Sequence, residues 1–376
     1  MNDKLTIQET QRRIKKVSGY HMLLFLLPIL SVLYYGWLKS AELNTRPDNP
    51  HRVAPLNQRG KILDRRGSPL ATVLEQERYY PAGECAGSLV GYELRGRNQT
   101  GLEAALQAEV SPPLPAATLT QAIAQDKEIA TGKRSQLHGP DISLTLDLKI
   151  QQVLFQALSP LPGALAVADP EGNVVAAISS PSFDPNKVRE NWQALRSDPQ
   201  SPFIERVGSG FYPVLRPDGS PLLGQQESKN HTWFSKEPFP NFPLASEAAW
   251  IDGRLFVTPL MLLESAFQTV GPPPKQGLSL RLERKPTPSQ RSIAPGLSNE
   301  SPTTSGGLRY WQLQGPPFRK SPSFLALIGE TSKGYRFSLV IEIATADARR
   351  KMLEEILPAL EQVEDTQQVS VTARGR

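Results

Sequence analysis

The 376-residue sequence predicts an α+β protein built on a mainly antiparallel sheet and preceded by a single N-terminal transmembrane helix. Three features carry that prediction. Gly163–Ser180 (GALAVADPEGNVVAAISS) sets two apolar runs around Asp169-Pro170-Glu171-Gly172-Asn173, a hairpin signal. Leu308–Leu313, Phe324–Ile328 and Phe337–Ala344 are also strand-like and are not interleaved with helices as in repeated βαβ units. The 35 prolines, about twice the usual share, speak against a helical bundle.

The first 18 residues carry Lys4, Arg12, Arg13, Lys15 and Lys16 against Asp3 and Glu9. Gly19–Leu38 then holds no charge, and about 20 residues at about 1.5 Å each span a hydrocarbon core. The preceding basic residues place the N-terminus in the cytoplasm and residues 39–376 outside it, with Tyr34, Tyr35 and Trp37 at the far interface. A cleaved signal peptide has a shorter apolar run and a small-x-small site, which Leu38-Lys39-Ser40-Ala41 is not. The expectation is an uncleaved anchor in the inner, cytoplasmic membrane.

Residues 41–58 are polar with three prolines and read as a linker. Arg59–Ala71 (RGKILDRRGSPLA) reads as strand–turn–strand, residues 74–140 as short apolar runs between turns, and Gly101–Ala108 as a helix start. From Ile142 a β-type alternation leads to Asp147, which caps a helix with Ile150, Val153, Leu154 and Leu158 on one face. Residues 187–250 are turn-rich. Val257–Val270 reads as a helix with Pro259 in its first turn. Residues 271–306 read as a mobile Pro/Ser-rich loop, Asp347–Val363 as an amphipathic helix, and 364–376 as a disordered tail.

Charge and composition remove whole classes of function. The net charge is 42 − 37 = +5, of which +3 lies in the first 18 residues, and no basic stripe with interleaved aromatics remains for nucleic acid. One cysteine, Cys85, forms no intrachain disulfide, and His21, His51, His138 and His231 are scattered, so no metal site is expected. Neither a P-loop nor a dinucleotide fingerprint appears, and no cofactor is expected.

Several stretches together resemble class B penicillin-binding proteins, the single-pass D,D-transpeptidases of peptidoglycan synthesis. Arg59–Ala71 is similar to the opening motif of their pedestal domain, and Gly101-Leu102-Glu103 to the pedestal Gly-Leu-Glu. Ile142–Asn186 is similar to the start of the transpeptidase domain, VTPLMLLESAF (257–267) to its Thr-Pro-Leu helix, and FLALIGET with YRFSLVIEI to its late hairpin. The resemblance implies a basic tail at 1–18, an anchor at 19–38, a linker and mostly-β pedestal at 39–140, a truncated transpeptidase-like domain at 141–363 and a tail at 364–376.

That family works through a Ser-x-x-Lys, a Ser-x-Asn and a Lys-Thr-Gly. The first sets nucleophile and base one helical turn apart, and the last lies on a strand edge that binds substrate. No Ser-x-x-Lys occurs in this sequence. The best local match, Pro217-Asp218-Gly219-Ser220-Pro221-Leu222-Leu223, keeps a serine at the nucleophile position, Ser220, and puts Leu223 where the base belongs. Ser228-Lys229-Asn230 follows too soon after Ser220 to be the family's Ser-x-Asn. At the Lys-Thr-Gly position stand Leu313, Gln314 and Gly315.

The expected function is therefore that of a non-catalytic scaffold or regulator, with no catalytic residues. The resemblance implies that its anchor and pedestal act on a SEDS-type glycosyltransferase, with Arg59, Gly60, Asp64, Arg65 and Gly67 as candidate partner contacts. For Arg59, Asp64 and Arg65, fixing local turns through salt bridges and caps is the alternative role. Two other functions remain open: a serine D,D-transpeptidase using Ser220 with an unusual base such as Lys229, and a module binding peptidoglycan peptides or an envelope protein.

Overall fold

The computed structural model describes residues 2–35, 39, 59–75, 77–94, 98–111, 139–215, 249–251, 254–270, 278–280, 301–316, 323–343 and 345–363. The chain divides into two units, Met1–Ala54 with Pro113–Leu137, and Pro55–Pro112 with His138–Arg376.

In the first unit, α1 (Asn2–Leu33) is one helix with Pro28 inside it, and Glu9–Leu33 is long and apolar enough to cross a membrane. It starts well before Gly19 because residues 2–18 contain neither proline nor glycine to stop it. Its side chains from Glu9 onward are exposed, including Leu23, Leu24 and Phe25.

The second unit opens with β1 (Ile62–Leu63), β2 (Pro69–Leu74), β3 (Glu77–Tyr79), α2 (Glu84–Val90), β4 (Glu93–Leu94), β5 (Asn98–Gln99), α3 (Gly101–Ala105) and α4 (Gln107–Val110). β6 (Ile142–Ser143) returns to complete a sheet of order β3-β2-β1-β6, in which β1 and β6 run parallel and the rest antiparallel. Ile62, Leu70, Leu89, Leu102 and Leu106 are fully buried in one core with Ala164 and Ala166 of the larger sheet and with Leu263 from a helix packed on it.

A buried ionic cluster braces this region. Arg59 pairs with Glu93 and, through Nη2 at 3.0 Å, with Glu103; Arg78 Nε donates to Glu103 at 2.7 Å and its Nη1 to the Gly60 carbonyl at 2.8 Å. All four charged side chains are at most 2% exposed, so each charge depends on its partners. The Glu93 N–H donates to the Tyr80 hydroxyl at 2.8 Å, and burial together with the Glu103 carboxylate raises that phenol above its ordinary pKa.

The larger sheet is built from β7 (Gly163–Ala168), β8 (Val174–Ser180), β12 (Thr303–Ser305), β13 (Leu308–Gly315), β14 (Phe324–Thr331) and β15 (Arg336–Ile341), in the order β12-β13-β14-β15-β7-β8, antiparallel throughout. Helix α5 (Leu148–Leu158) precedes these strands, and α6 (Val188–Ser197), α7 (Arg206–Ser209) and α8 (Pro259–Val270) lie between them in sequence. Short strands β9 (Tyr212–Pro213), β10 (Ala249–Ile251) and β11 (Arg254–Val257) form a separate three-stranded sheet. The C-terminal helical run, α9, joins Ala346–Lys351, Met352–Ile356 and Leu357–Glu361.

The alternation of β7 decides which helix packs where. Leu165 and Val167 meet Leu154 and Leu158 of α5 and Leu357 and Leu360 of α9. Ala164, Ala166 and Ala168 meet Leu260, Leu263 and Phe267 of α8 on the other face. Each fully buried leucine contributes about 1.5–3 kcal/mol.

Asp147 caps α5 as expected, accepting from the Lys149 and Ile150 N–H groups. Gln151, one turn into that helix, is wholly buried. Its Nε2 donates to the Cys85 and Ala177 carbonyls, each at 2.8 Å, and its Oε1 accepts from the Ala177 N–H at 2.9 Å. One side chain thus ties α5 to the edge strand β8 and to α2. Cys85 is half-buried, and burial pushes its thiol up to about 11.

Four expectations need correction. Val153 is 48% exposed, because the buried face of α5 is set by Ile150, Gln151, Leu154 and Leu158. Val257 belongs to β11, and α8 starts only at Pro259. The turn-rich reading of 187–250 missed α6, a mostly polar helix held through the contact of Trp192 with Tyr92 and Phe203. The expected mobile loop at 271–306 contains a fixed piece: Leu278 and Leu280 are buried, and Ser279 bridges Asn173. Alternate leucines there fill the core while Ser279 exchanges backbone bonds. The expected tail at 364–376 lies outside the described residues.

Candidate functional site

The chain reaches the candidate site along Glu205–Leu215. Glu205 caps α7 by accepting from the Val207 N–H at 3.0 Å and the Gly208 N–H at 2.7 Å, and burial pushes its carboxyl up to about 7. Next to it, Arg206 Nε donates to Glu342 Oε1 at 2.8 Å, and the Tyr212 hydroxyl donates to the same oxygen at 2.9 Å. β9 then pairs with β11, Pro213 opposite Phe256 and Tyr212 opposite Val257.

The predicted Lys-Thr-Gly position falls at the end of β13. Leu313 turns into the core beside Ala326 and Val340, Gln314 is exposed and Gly315 is half-buried against Phe324. The outward backbone groups of Gln314 are both engaged. The Leu215 N–H donates to the Gln314 carbonyl and the Gln314 N–H to the Leu215 carbonyl, each at 2.9 Å. The strand edge that the resemblance assigns to substrate is paired here with the chain's own backbone. Ser220, Leu223 and the Ser228–Asn230 triplet lie outside the described residues, in 216–248.

The five pedestal candidates separate by position. Arg59 is in the buried ionic cluster. Asp64 is 1% exposed: Oδ1 accepts from the Arg66 and Ser68 N–H groups, and Oδ2 from the Leu148 N–H at 3.2 Å, so it joins the first turn to the start of α5. The Arg65 N–H donates to the Leu146 carbonyl at 2.8 Å, and its side chain is half-buried. Arg66, not singled out from the sequence, donates to Asp147 Oδ2 from both Nε and Nη2.

Gly60 and Gly67 differ in kind. A Cβ on Gly60 would lie 1.9 Å from the Pro140 carbonyl oxygen, whereas Gly67 sits in open space at φ +82°. Gly60→Ala should therefore displace backbone and lower the melting temperature steeply. Gly67→Ala should cost only about 1 kcal/mol of left-handed strain. Equal melting temperatures for the two variants would contradict this packing.

Sequence could have flagged Glu103, which stands in the Gly-Leu-Glu motif. Nothing local marks Glu93 or Arg78 as its companions, since the cluster forms only when separate strands and α3 converge.

No family profile matches the chain. It is 42% identical over 81 residues to the peptidoglycan D,D-transpeptidase MrdA of Escherichia coli K12, a match covering 20% of this chain and 13% of that protein. It is 28% identical over 150 residues to the peptidoglycan D,D-transpeptidase PbpA of Mycolicibacterium smegmatis, covering 36% of this chain and 29% of that protein. The sequence similarity thus spans under a third of either relative's length. Among solved structures, penicillin-binding protein A of M. tuberculosis, in its imipenem acyl-enzyme complex, superposes with a TM-score of 0.57 at 16% identity, over 82% of this chain and 99% of that one. Penicillin-binding protein 2 of Pseudomonas aeruginosa superposes with a TM-score of 0.56 at 14% identity, over 84% and 100%. Fold and sequence therefore agree that this chain resembles the class B penicillin-binding proteins, with a transpeptidase-like α+β fold and segments homologous to peptidoglycan D,D-transpeptidases.

Proposed function

We propose that this protein is a non-catalytic, membrane-anchored relative of the peptidoglycan transpeptidases that acts as a scaffold or regulator in cell-wall synthesis, its anchor and pedestal engaging a SEDS-type glycosyltransferase. The observation that carries the reading is the closed strand edge at Gln314, whose donor and acceptor are both spent on Leu215. A substrate backbone pairing there would have to displace that contact. The sequence supports it independently, since no Ser-x-x-Lys occurs to supply a nucleophile and a base one turn apart. Loss of such a pair typically costs several orders of magnitude in rate. The surface available to a partner on the first pedestal turn is at Arg66 and Gly67, which are exposed.

The test is covalent labelling of the full chain in membranes by a fluorescent penicillin. No labelled band is expected under conditions that label an intact transpeptidase. A band that disappears in Ser220→Ala would overturn the proposal and favour acyl transfer at Ser220.

A further inference from the structure

The anchor helix has an arrangement of charge that crossing a membrane does not by itself require. α1 runs unbroken from Asn2 to Leu33, so its basic stretch and its apolar stretch share one helical register. Arg12, Arg13, Lys15 and Lys16 are exposed, and Glu9 is the sole acid between residues 9 and 35, which leaves that stretch at 4 − 1 = +3. At about 100° per residue, Lys15, Arg12, Lys16 and Arg13 fall in that order within an arc of about 160°. All four cations therefore lie on one half of the helix.

The same side continues into the apolar span. Lys15, Gly19, Leu23 and Leu27 form one i, i+4 row, and Arg12, Lys16 and Tyr20 form the row beside it. Gly19 has no side chain, and a Cβ added there would meet nothing within 4 Å. The rows thus enclose a bare patch of helix, with Lys15 and Lys16 at its polar end, Tyr20 beside it and Leu23 at its apolar end. Tyr20, Leu23 and Leu27 are all exposed. His21 lies on the far side from Arg12 and donates Nδ1 to the Val17 carbonyl at 2.9 Å, so it does not border the patch.

Dimensions and charge together specify an occupant. From Arg12 to Leu23 the helix rises about 17 Å, which takes a lipid from its phosphate into its acyl chain. A zwitterionic headgroup brings an ammonium against these cations, whereas an anionic one brings net negative charge to +3. A basic end needed only for orientation would work with its charges on any side and would not need a glycine among them.

We propose that this face of α1 is a binding site for a phospholipid of net negative charge, its phosphodiester on Arg12, Lys15 and Lys16, its glycerol over Gly19 and an acyl chain along Leu23 and Leu27. The proposal rests on α1 spanning a membrane, and it needs neither the scaffold role nor a glycosyltransferase.

The test reconstitutes the full chain in phosphatidylcholine bilayers and measures, by electron spin resonance, how much nitroxide-labelled lipid is held at the protein. Labelled phosphatidylglycerol should associate about fivefold more strongly than labelled phosphatidylcholine. The variant Arg12→Thr/Thr10→Arg/Lys16→Ser/Ser18→Lys keeps the net charge, moves two cations to the far side and should lower that preference about threefold. Gly19→Leu covers the bare patch with every charge in place and should lower it at least twofold. Excess inorganic phosphate at matched ionic strength should leave it unchanged. Equal association of the two lipids, or a preference that survives either variant, would overturn the site and leave only the general attraction of a charged surface. Loss of the preference to inorganic phosphate would reassign the cations to a free anion and overturn the lipid. Release of the chain from the bilayer by alkaline carbonate would instead refute the anchor, and this site with it.

Discussion

Arg59→Met is expected to destabilise the chain by about 3–5 kcal/mol, the range for removing one partner of a buried ion pair. The guanidinium answers two carboxylates, Glu93 and Glu103, in a setting where none of the side chains is more than 2% exposed. Burial acts against the Arg59 charge and the Glu103 carboxylate acts for it, so the cluster is held by mutual compensation rather than by water. Without Arg59, Glu103 keeps Arg78, whereas Glu93 keeps no cation among the described residues. Urea unfolding of the detergent-solubilised chain measures the loss. A decrease below about 1 kcal/mol would place the cluster with exposed ion pairs and contradict its burial. The double variant Arg59→Met/Glu93→Leu should recover much of the stability, because it removes both charges and retains apolar volume.

Gln151→Leu should cost about 3 kcal/mol or more. The substitution is close to isosteric, so the loss comes from polar groups left behind: the Ala177 N–H and carbonyl and the Cys85 carbonyl, at about 1–3 kcal/mol for each buried group without a partner. Hydrogen exchange gives the local readout. The Ala177 amide should lose protection before the amides of β14, which pairs with a strand on both sides. Unchanged exchange at Ala177 would show that the Gln151 bonds do not hold the edge of β8.

Local chemistry made part of this fold legible from the chain alone. The Asp169–Asn173 turn is as expected: the Asn173 N–H and side-chain amide donate to Asp169, and Gly172 takes a positive φ. Asp147 was legible as a cap because the apolar spacing after it is helical. α6 was not, since its sequence, VRENWQALRS, buries only Val188 fully, and its hold comes from an aromatic cluster assembled across distant segments. Leu278–Leu280 was hidden by proline-rich neighbours, although its leucine–serine–leucine alternation is a strand signal in miniature. The site divides in the same way. Leu313, Gln314 and Gly315 could be placed on a strand end by spacing, but the Leu215 contact that closes that edge is a pairing across about 100 residues, beyond any periodicity. The Glu342–Arg206–Tyr212 set likewise joins residues up to 136 apart in sequence.

The parallel pairing of β1 with β6 has a mechanical meaning. Ile62 and Leu63 lie beside Ile142 and Ser143, in a strand that leads at once into α5 and the larger sheet. Tension arriving from the N-terminal side of Arg59 pulls β1 along its own length, at right angles to the hydrogen bonds that hold it on both flanks. The bonds are then loaded together in shear and cannot be opened one at a time, as in a zipper. Asp64 and the Arg66–Asp147 pair sit just past this joint and brace it. A force applied at Arg59 would thereby be delivered to α5 and the larger sheet, not dissipated by unravelling the first strand.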